Sequence, residues 1–232
     1  IPAMKPLLLT LLTAALLTSA AGASAQPLRI AYADPVSSLD PQLNNHAGDR
    51  SLALHVFESL LERRDDKTLP GLAESWKNID ATTWEFYLRK DVKWQDGQPL
   101  TADDLVFSLQ RARNVPGSVA PYSSSLRTVE SVSAPDPYTL RVKTSEPNPL
   151  LLQNIDSIYI VSRHVGEQSR TEDYNSGKAM IGTGPYRLVS NAPGDRTLFE
   201  RNADYWGKPA TWDTVDYRYI ANPASRTAAL LA

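Results

Sequence analysis

The sequence has 232 residues, contains no cysteine and carries a formal net charge of −2. Hydrophobic residues make up 42% and charged residues 22%, which is ordinary for a folded soluble protein of one or two domains. A charge balance this close to neutral gives no field that would gather nucleic acid or anionic lipid. Without cysteine, neither disulfides nor a lipid anchor attached through cysteine is expected.

The first 25 residues have the pattern of a secretory signal peptide. A positive start at Lys5 is followed by an apolar run over residues 7–17, which is too short to span a bilayer as a helix. Small residues at 23–25 then place a cleavage site before Gln26. A buried N-terminal helix is the alternative interpretation. We expect residues 1–25 to be removed and the mature protein to be periplasmic.

The first half of the mature chain alternates between strands and one helix. Residues 28–33 predict a short apolar strand, and apolar residues at helical spacing predict an amphipathic helix over 49–62. Alternation of apolar and polar residues over 84–88 predicts a half-buried strand, which returns through residues 92–94. A mixed arrangement of helix and sheet is therefore expected.

A second helix is predicted to begin after Thr101. The Thr101 hydroxyl can cap it, and Asp103 and Asp104 fall in the first turn, where negative charge is favoured. Leu105 and Leu109 begin its buried stripe. The carboxylates at this point are thus better explained by helix capping than by acid–base chemistry.

The second half is richer in strands and turns, and it ends in a helix opened by Pro223. Because the sequence stops inside that apolar helix, we expect it to be the front part of a longer protein. The irregular alternation predicts a mixed α/β protein whose chain returns to one sheet after a long excursion. The further predicted strands are residues 138–142, 158–161, 181–189, 197–201 and 215–220.

The sequence offers no catalytic or metal-binding pattern. It contains no G-x-S-x-G elbow and no cysteine nucleophile, and its three histidines, His46, His55 and His164, are scattered. The G-x-G of Gly182 and Gly184 is interrupted by proline, so we interpret these glycines as positions of positive φ rather than as a phosphate cradle. No enzymatic activity, metal or cofactor is expected.

Four stretches resemble the family 5 extracellular solute-binding proteins, the dipeptide- and oligopeptide-binding components of ABC importers. They are SSLDP with FESLL at 37–41 and 57–61, WEFYLRKDVKWQDGQPLTADDLVFSLQR at 84–111, IGTGPYRL at 181–188 and RNADYWG at 201–207. The stretches occur in the family's order and together cover nearly all of the mature chain. The block at 84–111 is the most specific of them.

The resemblance implies a periplasmic binding protein of type II, in which two lobes close on a solute. Residues 26–57 and 181–232 would form an incomplete lobe I with a mixed sheet, and residues 58–180 an inserted small α+β domain. The second lobe would be missing, since family members are much longer. The implied partners are a short peptide and the inner-membrane ABC permease, and the protein is expected to be a monomer that binds without catalysis.

Matching by position, the resemblance places solute contacts at Asn45, His46 and Ala47. Tyr122 resembles an aromatic residue that faces the solute; packing on its own domain is the alternative. Nickel chelates, oligosaccharides and opine-like compounds remain open as other solutes of the same fold. A secreted hydrolase is the alternative from another class, and it would need a nucleophile and a base within hydrogen-bond reach.

Overall fold

The computed structural model describes residues 27–231, so the predicted signal peptide lies outside the described residues. In this part of the chain, no helix is long and apolar enough to cross a membrane. The strands are β1 (Leu28–Tyr32), β2 (Leu61–Arg64), β3 (Lys67–Pro70), β4 (Ala73–Asp80), β5 (Thr83–Leu88), β6 (Val129–Asp136), β7 (Thr139–Thr144), β8 (Tyr186–Ala192), β9 (Arg196–Arg201) and β10 (Thr214–Tyr219). The helices are α1 (Ala47–Val56), α2 (Ala102–Ala112), α3 (Leu151–Ile155), α4 (Arg163–Gly166), α5 (Thr171–Asn175) and α6 (Pro223–Leu231).

Two four-stranded sheets organise the molecule. The first has the order β1-β10-β9-β8, in which β1 is parallel to β10 and the other pairs are antiparallel. The second, β4-β5-β7-β6, is antiparallel throughout and belongs to the excursion between β1 and β8. β2 and β3 form a separate hairpin. The first sheet thus contains strands from both ends of the described chain. This agrees with the prediction that the chain returns to one sheet after a long excursion.

Each sheet packs on its own hydrophobic core. The core beside the second sheet, which we call the excursion core, contains residues of β5, β7 and α2. The core beside the first sheet, which we call the sheet core, contains residues of α1, β8, β9 and β10. Tyr159, Val161 and Tyr174, which the predicted boundaries assign to the inserted domain, pack in the sheet core. The boundaries themselves stay a prediction. The largest fully buried side chains of the excursion core are Trp94, Tyr122, Phe86, Leu60, Leu61, Leu72, Leu88 and Leu100.

The helix predicted over 49–62 is shorter in the structure. α1 ends at Val56, and Phe57 is extended with φ −113° and ψ 151°. Phe57 packs in the sheet core, whereas Leu60 packs in the excursion core. The apolar spacing therefore continues past the helix because the next residues cross from one core to the other.

The interpretation of Gly182 and Gly184 as positions of positive φ is wrong. The glycines with positive φ in the structure are others, such as Gly97 and Gly177. A Cβ on Gly182 would lie 1.7 Å from the carbonyl oxygen of Val56, and one on Gly184 would lie 2.7 Å from it. These glycines are required because their backbone passes directly against the end of α1.

Candidate functional site

The segment Asn45–Ala47 forms an exposed edge at the start of α1. His46 precedes the helix with extended backbone, φ −102° and ψ 146°, and its carbonyl accepts the Arg50 N–H at 3.0 Å. All three residues of the segment are exposed. The predicted contact residues therefore present their side chains and the positive end of a helix dipole to solvent.

A second loop packs against this segment and holds its shape. The Asn45 N–H donates to the carbonyl of Ala120 at 2.8 Å. The buried Asn44 side chain accepts from the backbone N–H groups of Val119, at 3.0 Å, and Ala120, at 3.2 Å. The structure thus brings the neighbourhood of Tyr122 beside Asn45. Sequence reasoning did not single out Asn44, although an asparagine that satisfies loop N–H groups is a familiar turn device.

Tyr122 is fully buried, in the excursion core. Its hydroxyl finds no hydrogen-bond partner among residues 27–231. Burial raises the pKa of Tyr122, and the nearby charge of Arg50 opposes that rise. The ring therefore packs on its own domain, as the alternative interpretation has it, while the hydroxyl is left unpaired close to Arg50.

Arg50 links the exposed segment to the excursion. Its Nη1 donates to Asn45 Oδ1 at 3.3 Å and to the carbonyl of Ser157 at 2.7 Å. The guanidinium lies over the Tyr159 ring, 5.5 Å from the centroid, and the Tyr159 hydroxyl donates to the Arg50 carbonyl at 3.2 Å. Sequence reasoning missed Arg50. The sequence contained one indication of its role: a positively charged residue in the first turn of a predicted helix, where the helix dipole disfavours positive charge.

We call Asn45, His46, Ala47, Arg50 and Tyr122 the wall. The chain that leads into the wall is fixed by buried polar groups. Asp40 is completely buried; it accepts Arg111 Nη2 at 2.7 Å, Arg111 Nη1 at 3.0 Å and the Thr171 hydroxyl at 2.8 Å. This Asp40 junction ties the loop to α2 and α5. The wall is therefore a surface whose backbone is set before any solute arrives.

A second junction lies behind the wall, around Glu58. Its carboxylate accepts from the Thr183 hydroxyl, the Tyr205 hydroxyl and Trp206 Nε1, each at 2.8 Å. Burial raises the pKa of Glu58, although the three hydrogen bonds and the charge of Arg89 oppose that shift. The Glu58 junction thus brings the segments 57–61, 181–188 and 201–207 together around one carboxylate.

The wall lies apart from an apolar cavity beside β1. A cavity of about 220 Å³ lies between β1, the turn of the β8–β9 hairpin and residues 34–39. Its lining is mostly apolar and includes Tyr32, Leu39 and Tyr217, but none of the wall residues. The segment Asn45–Ala47 is instead exposed.

The family profile described as "Bacterial extracellular solute-binding proteins, family 5 Middle" matches residues 67–232. The chain belongs to family 5. The resemblance carried by the four sequence stretches is thereby confirmed.

Relatives of known structure agree with the family assignment. The periplasmic oligopeptide-binding protein OppA of Escherichia coli K12 is 34% identical over 208 residues, which cover 81% of this chain. The crystal structure of Haemophilus influenzae OppA in complex with RPPGFSPFR superposes with a TM-score of 0.78 at 29% identity over 89% of this chain. MoaA from Agrobacterium tumefaciens R10, in complex with mannopinic acid, gives the same TM-score and identity. The mixed α/β fold is that of family 5 periplasmic binding proteins.

The chain corresponds to only part of these relatives. It covers 38% of the E. coli protein, 44% of the H. influenzae chain and 43% of MoaA. The family 5 fold seen here is accordingly a portion of the relatives' fold, as the expected absence of a second lobe implies. The family stretches have a clear structural role in this portion: Asp40, Arg111, Glu58, Thr183 and Trp206 all belong to them and all lie in the two junctions.

Proposed function

We propose that the chain forms one side of a periplasmic solute-binding protein that captures short peptides for an ABC importer. Membership of family 5 supports the general role, and the relatives named above include proteins described as oligopeptide-binding. The observation that carries the proposal is the wall: an exposed segment at Asn45–Ala47, braced by the loop at 119–120 and by Arg50. A peptide lying along such a segment would be held by main-chain hydrogen bonds, which accept many sequences.

The capture step requires no chemistry on the solute. Within residues 27–231 no group of His, Cys, Asp and Glu is placed to hold a metal ion. The wall contributes an amide, an imidazole, a guanidinium and a phenol, and a nucleophile oriented by a base is not among its side chains. We therefore propose binding by enclosure and release to the permease, without turnover.

Incubation of the complete gene product with a peptide library, followed by mass spectrometry of the retained species, tests this proposal. Retention of intact short peptides is expected. Cleaved products would favour the hydrolase instead. Retention of sugars or metal chelates alone would reassign the solute.

Ala47→Trp tests whether the wall is the binding surface. A large side chain at this exposed position would fill the cleft and should lower peptide affinity by at least tenfold, without a matching loss of stability. Ala81→Trp is the matched control, because Ala81 is also exposed but lies in the turn between β4 and β5. Equal affinities of the two variants would show that the solute binds elsewhere.

Opine-like compounds are a second candidate, because MoaA in complex with mannopinic acid is as similar in fold as the peptide-bound relative. Adding mannopinic acid to the retained-species experiment compares the two classes directly. Competition of mannopinic acid with peptide retention would favour the opine class.

Two further parts of the proposal concern the form of the protein. We propose export with cleavage before Gln26, which N-terminal sequencing of the protein from a periplasmic fraction would test. We also propose that the protein is a monomer, which sedimentation analysis with and without peptide would test.

A further inference from the structure

Arg50 is a half-buried cation without a direct carboxylate partner. Among the described residues, no carboxylate oxygen lies within 4.0 Å of its guanidinium, and its hydrogen bonds go to the neutral oxygens of Asn45 and Ser157. Both bonds use Nη1, so Nη2 and Nε make none within residues 27–231. A charge withdrawn from water is costly unless it is paired, and a guanidinium pairs best through two parallel N–H groups.

The nearby acids make no direct contact with the Arg50 guanidinium. Asp49 accepts the Ser37 N–H at 2.6 Å and the Ser37 hydroxyl at 2.5 Å. Asp156 Oδ2 lies 3.9 Å from Arg63 Nη1. Burial raises the pKa of Asp156, while the charges of Arg63 and then Arg50 oppose the rise. Neither acid therefore neutralises Arg50 by contact.

A second unpaired donor lies close to Arg50. Tyr122 is fully buried, and its hydroxyl has no partner within the described range. This hydroxyl is too deeply buried to reach a solute. The guanidinium and the exposed N-terminus of α1 both favour a group with negative charge.

We propose that the wall receives a carboxylate of the captured solute, with Arg50 as the pairing cation. The inference rests on the function proposed above and specifies the chemistry of the solute at this side of the cleft. Asn45, whose Oδ1 accepts from Arg50, holds the guanidinium in place. The solute carboxylate then supplies a direct ionic contact, whereas the charge of Asp156 acts on Arg50 from beyond contact distance.

A carboxylate can come from the C-terminus of a peptide or from an acidic side chain, and matched peptides separate these sources. Calorimetry with the complete gene product would compare trialanine with its C-terminal amide. A second pair would be two tripeptide amides that carry glutamate or glutamine at the central position. A preference for the carboxylate member of one pair, by about tenfold or more, is expected from the strength of a charge-assisted hydrogen bond.

Arg50→Gln should abolish that preference. Gln keeps hydrogen-bonding capacity but loses the charge, and the measured quantity is a ratio of two affinities, which does not depend on the fraction of folded protein. Arg64→Gln is the matched control, because it removes an equal charge from an exposed arginine paired with Glu62, and it should leave the ratio unchanged.

The outcomes separate this inference from the proposed function. Equal affinities for acid and amide peptides, or a preference that survives Arg50→Gln, would overturn the inference and leave peptide capture standing. Absence of binding for all four peptides would overturn both. Loss of the preference in Arg50→Gln alone supports both and identifies which carboxylate the wall receives.

Discussion

The two junctions and the wall contain the same kinds of polar side chain in opposite states. Asp40 and Glu58 each accept three or more hydrogen bonds from side chains of distant segments. In the wall, the Tyr122 hydroxyl accepts and donates nothing, and Arg50 meets no acid, within the described residues. Buried polar groups stabilise a fold only when they are satisfied.

The comparison distinguishes the residues of the family stretches that support the architecture from the residues of the wall. The junctions join loop, helix and sheet segments that are far apart in the sequence, and they do so with groups that are fully engaged. The wall instead holds exposed polar groups and a guanidinium that meets no carboxylate among residues 27–231. Substitutions in a junction should therefore act on stability first, whereas substitutions in the wall should act on solute binding first.

The largest effect is expected at the Asp40 junction. Asp40→Ala leaves the mostly buried Arg111 guanidinium without its carboxylate and should lower the free energy of unfolding by about 3–5 kcal/mol. Urea denaturation followed by tryptophan fluorescence measures the change. Glu130→Ala is the control: it breaks the exposed pair with Lys143 and should cost less than about 1 kcal/mol. Similar losses in the two variants would show that the Asp40 junction stabilises the fold no more than an exposed ion pair does.

A smaller loss is expected at the Glu58 junction. Glu58→Ala leaves the donors of Thr183, Tyr205 and Trp206 unpaired, but the site is less completely buried than Asp40. The free energy of unfolding should fall by about 2–4 kcal/mol. Denaturation of Glu62→Ala, which removes an exposed glutamate four residues later, provides the comparison. A loss no larger than that of Glu62→Ala would show that the carboxylate is not a structural centre.

Local patterns were sufficient to predict much of the fold. Alternating residues predicted β5, and Thr101 with its acidic neighbours predicted the start of α2. The Asp104 carboxylate accepts the Thr101 N–H at 2.9 Å, which is the contribution of the third helical residue to a capping box. β4 was not predicted as a strand, because most of its side chains are exposed and polar. The end of α1 was missed because Phe57 and Leu60 keep the apolar spacing of a helix although they pack in different cores.

The wall was predictable only in part. The resemblance pointed to Asn45–Ala47 and Tyr122, and the structure brings the two segments together, but no residue pattern indicated that Arg50 would join them. That proximity depends on Ser157 and Tyr159, more than 100 residues away along the chain. The role of the four predicted residues in binding stays a prediction, which the Ala47→Trp and peptide experiments address.

His55 shows that an unpaired buried atom does not always indicate a solute. Its Nδ1 has no partner among the described residues, and its ring stacks on Phe199 with centroids 4.8 Å apart. Burial lowers the pKa of His55 from 6.5, against backbone hydrogen bonds that raise it. The unfolded chain therefore binds this proton more readily, so stability should be full above pH 6.5 and fall as the pH drops below it. Urea midpoints between pH 5 and 8 measure this.

Two histidine variants test whether His55 causes that pH dependence. His55→Phe should flatten the slope below pH 6.5, because the aromatic packing is retained and the titrating group is lost. His46→Gln, at an exposed position, should keep the slope. If His55→Phe leaves the slope unchanged, other groups cause it.

The smallest effect on stability is expected at Tyr122. Tyr122→Phe removes a hydroxyl that makes no hydrogen bond within residues 27–231, so the free energy of unfolding should change by less than about 0.5 kcal/mol. Tyr159→Phe is the matched variant, since it removes the hydrogen bond to the Arg50 carbonyl and should cost about 1 kcal/mol. A Tyr122→Phe variant that loses as much stability as Tyr159→Phe would show that the Tyr122 hydroxyl also makes a stabilising hydrogen bond.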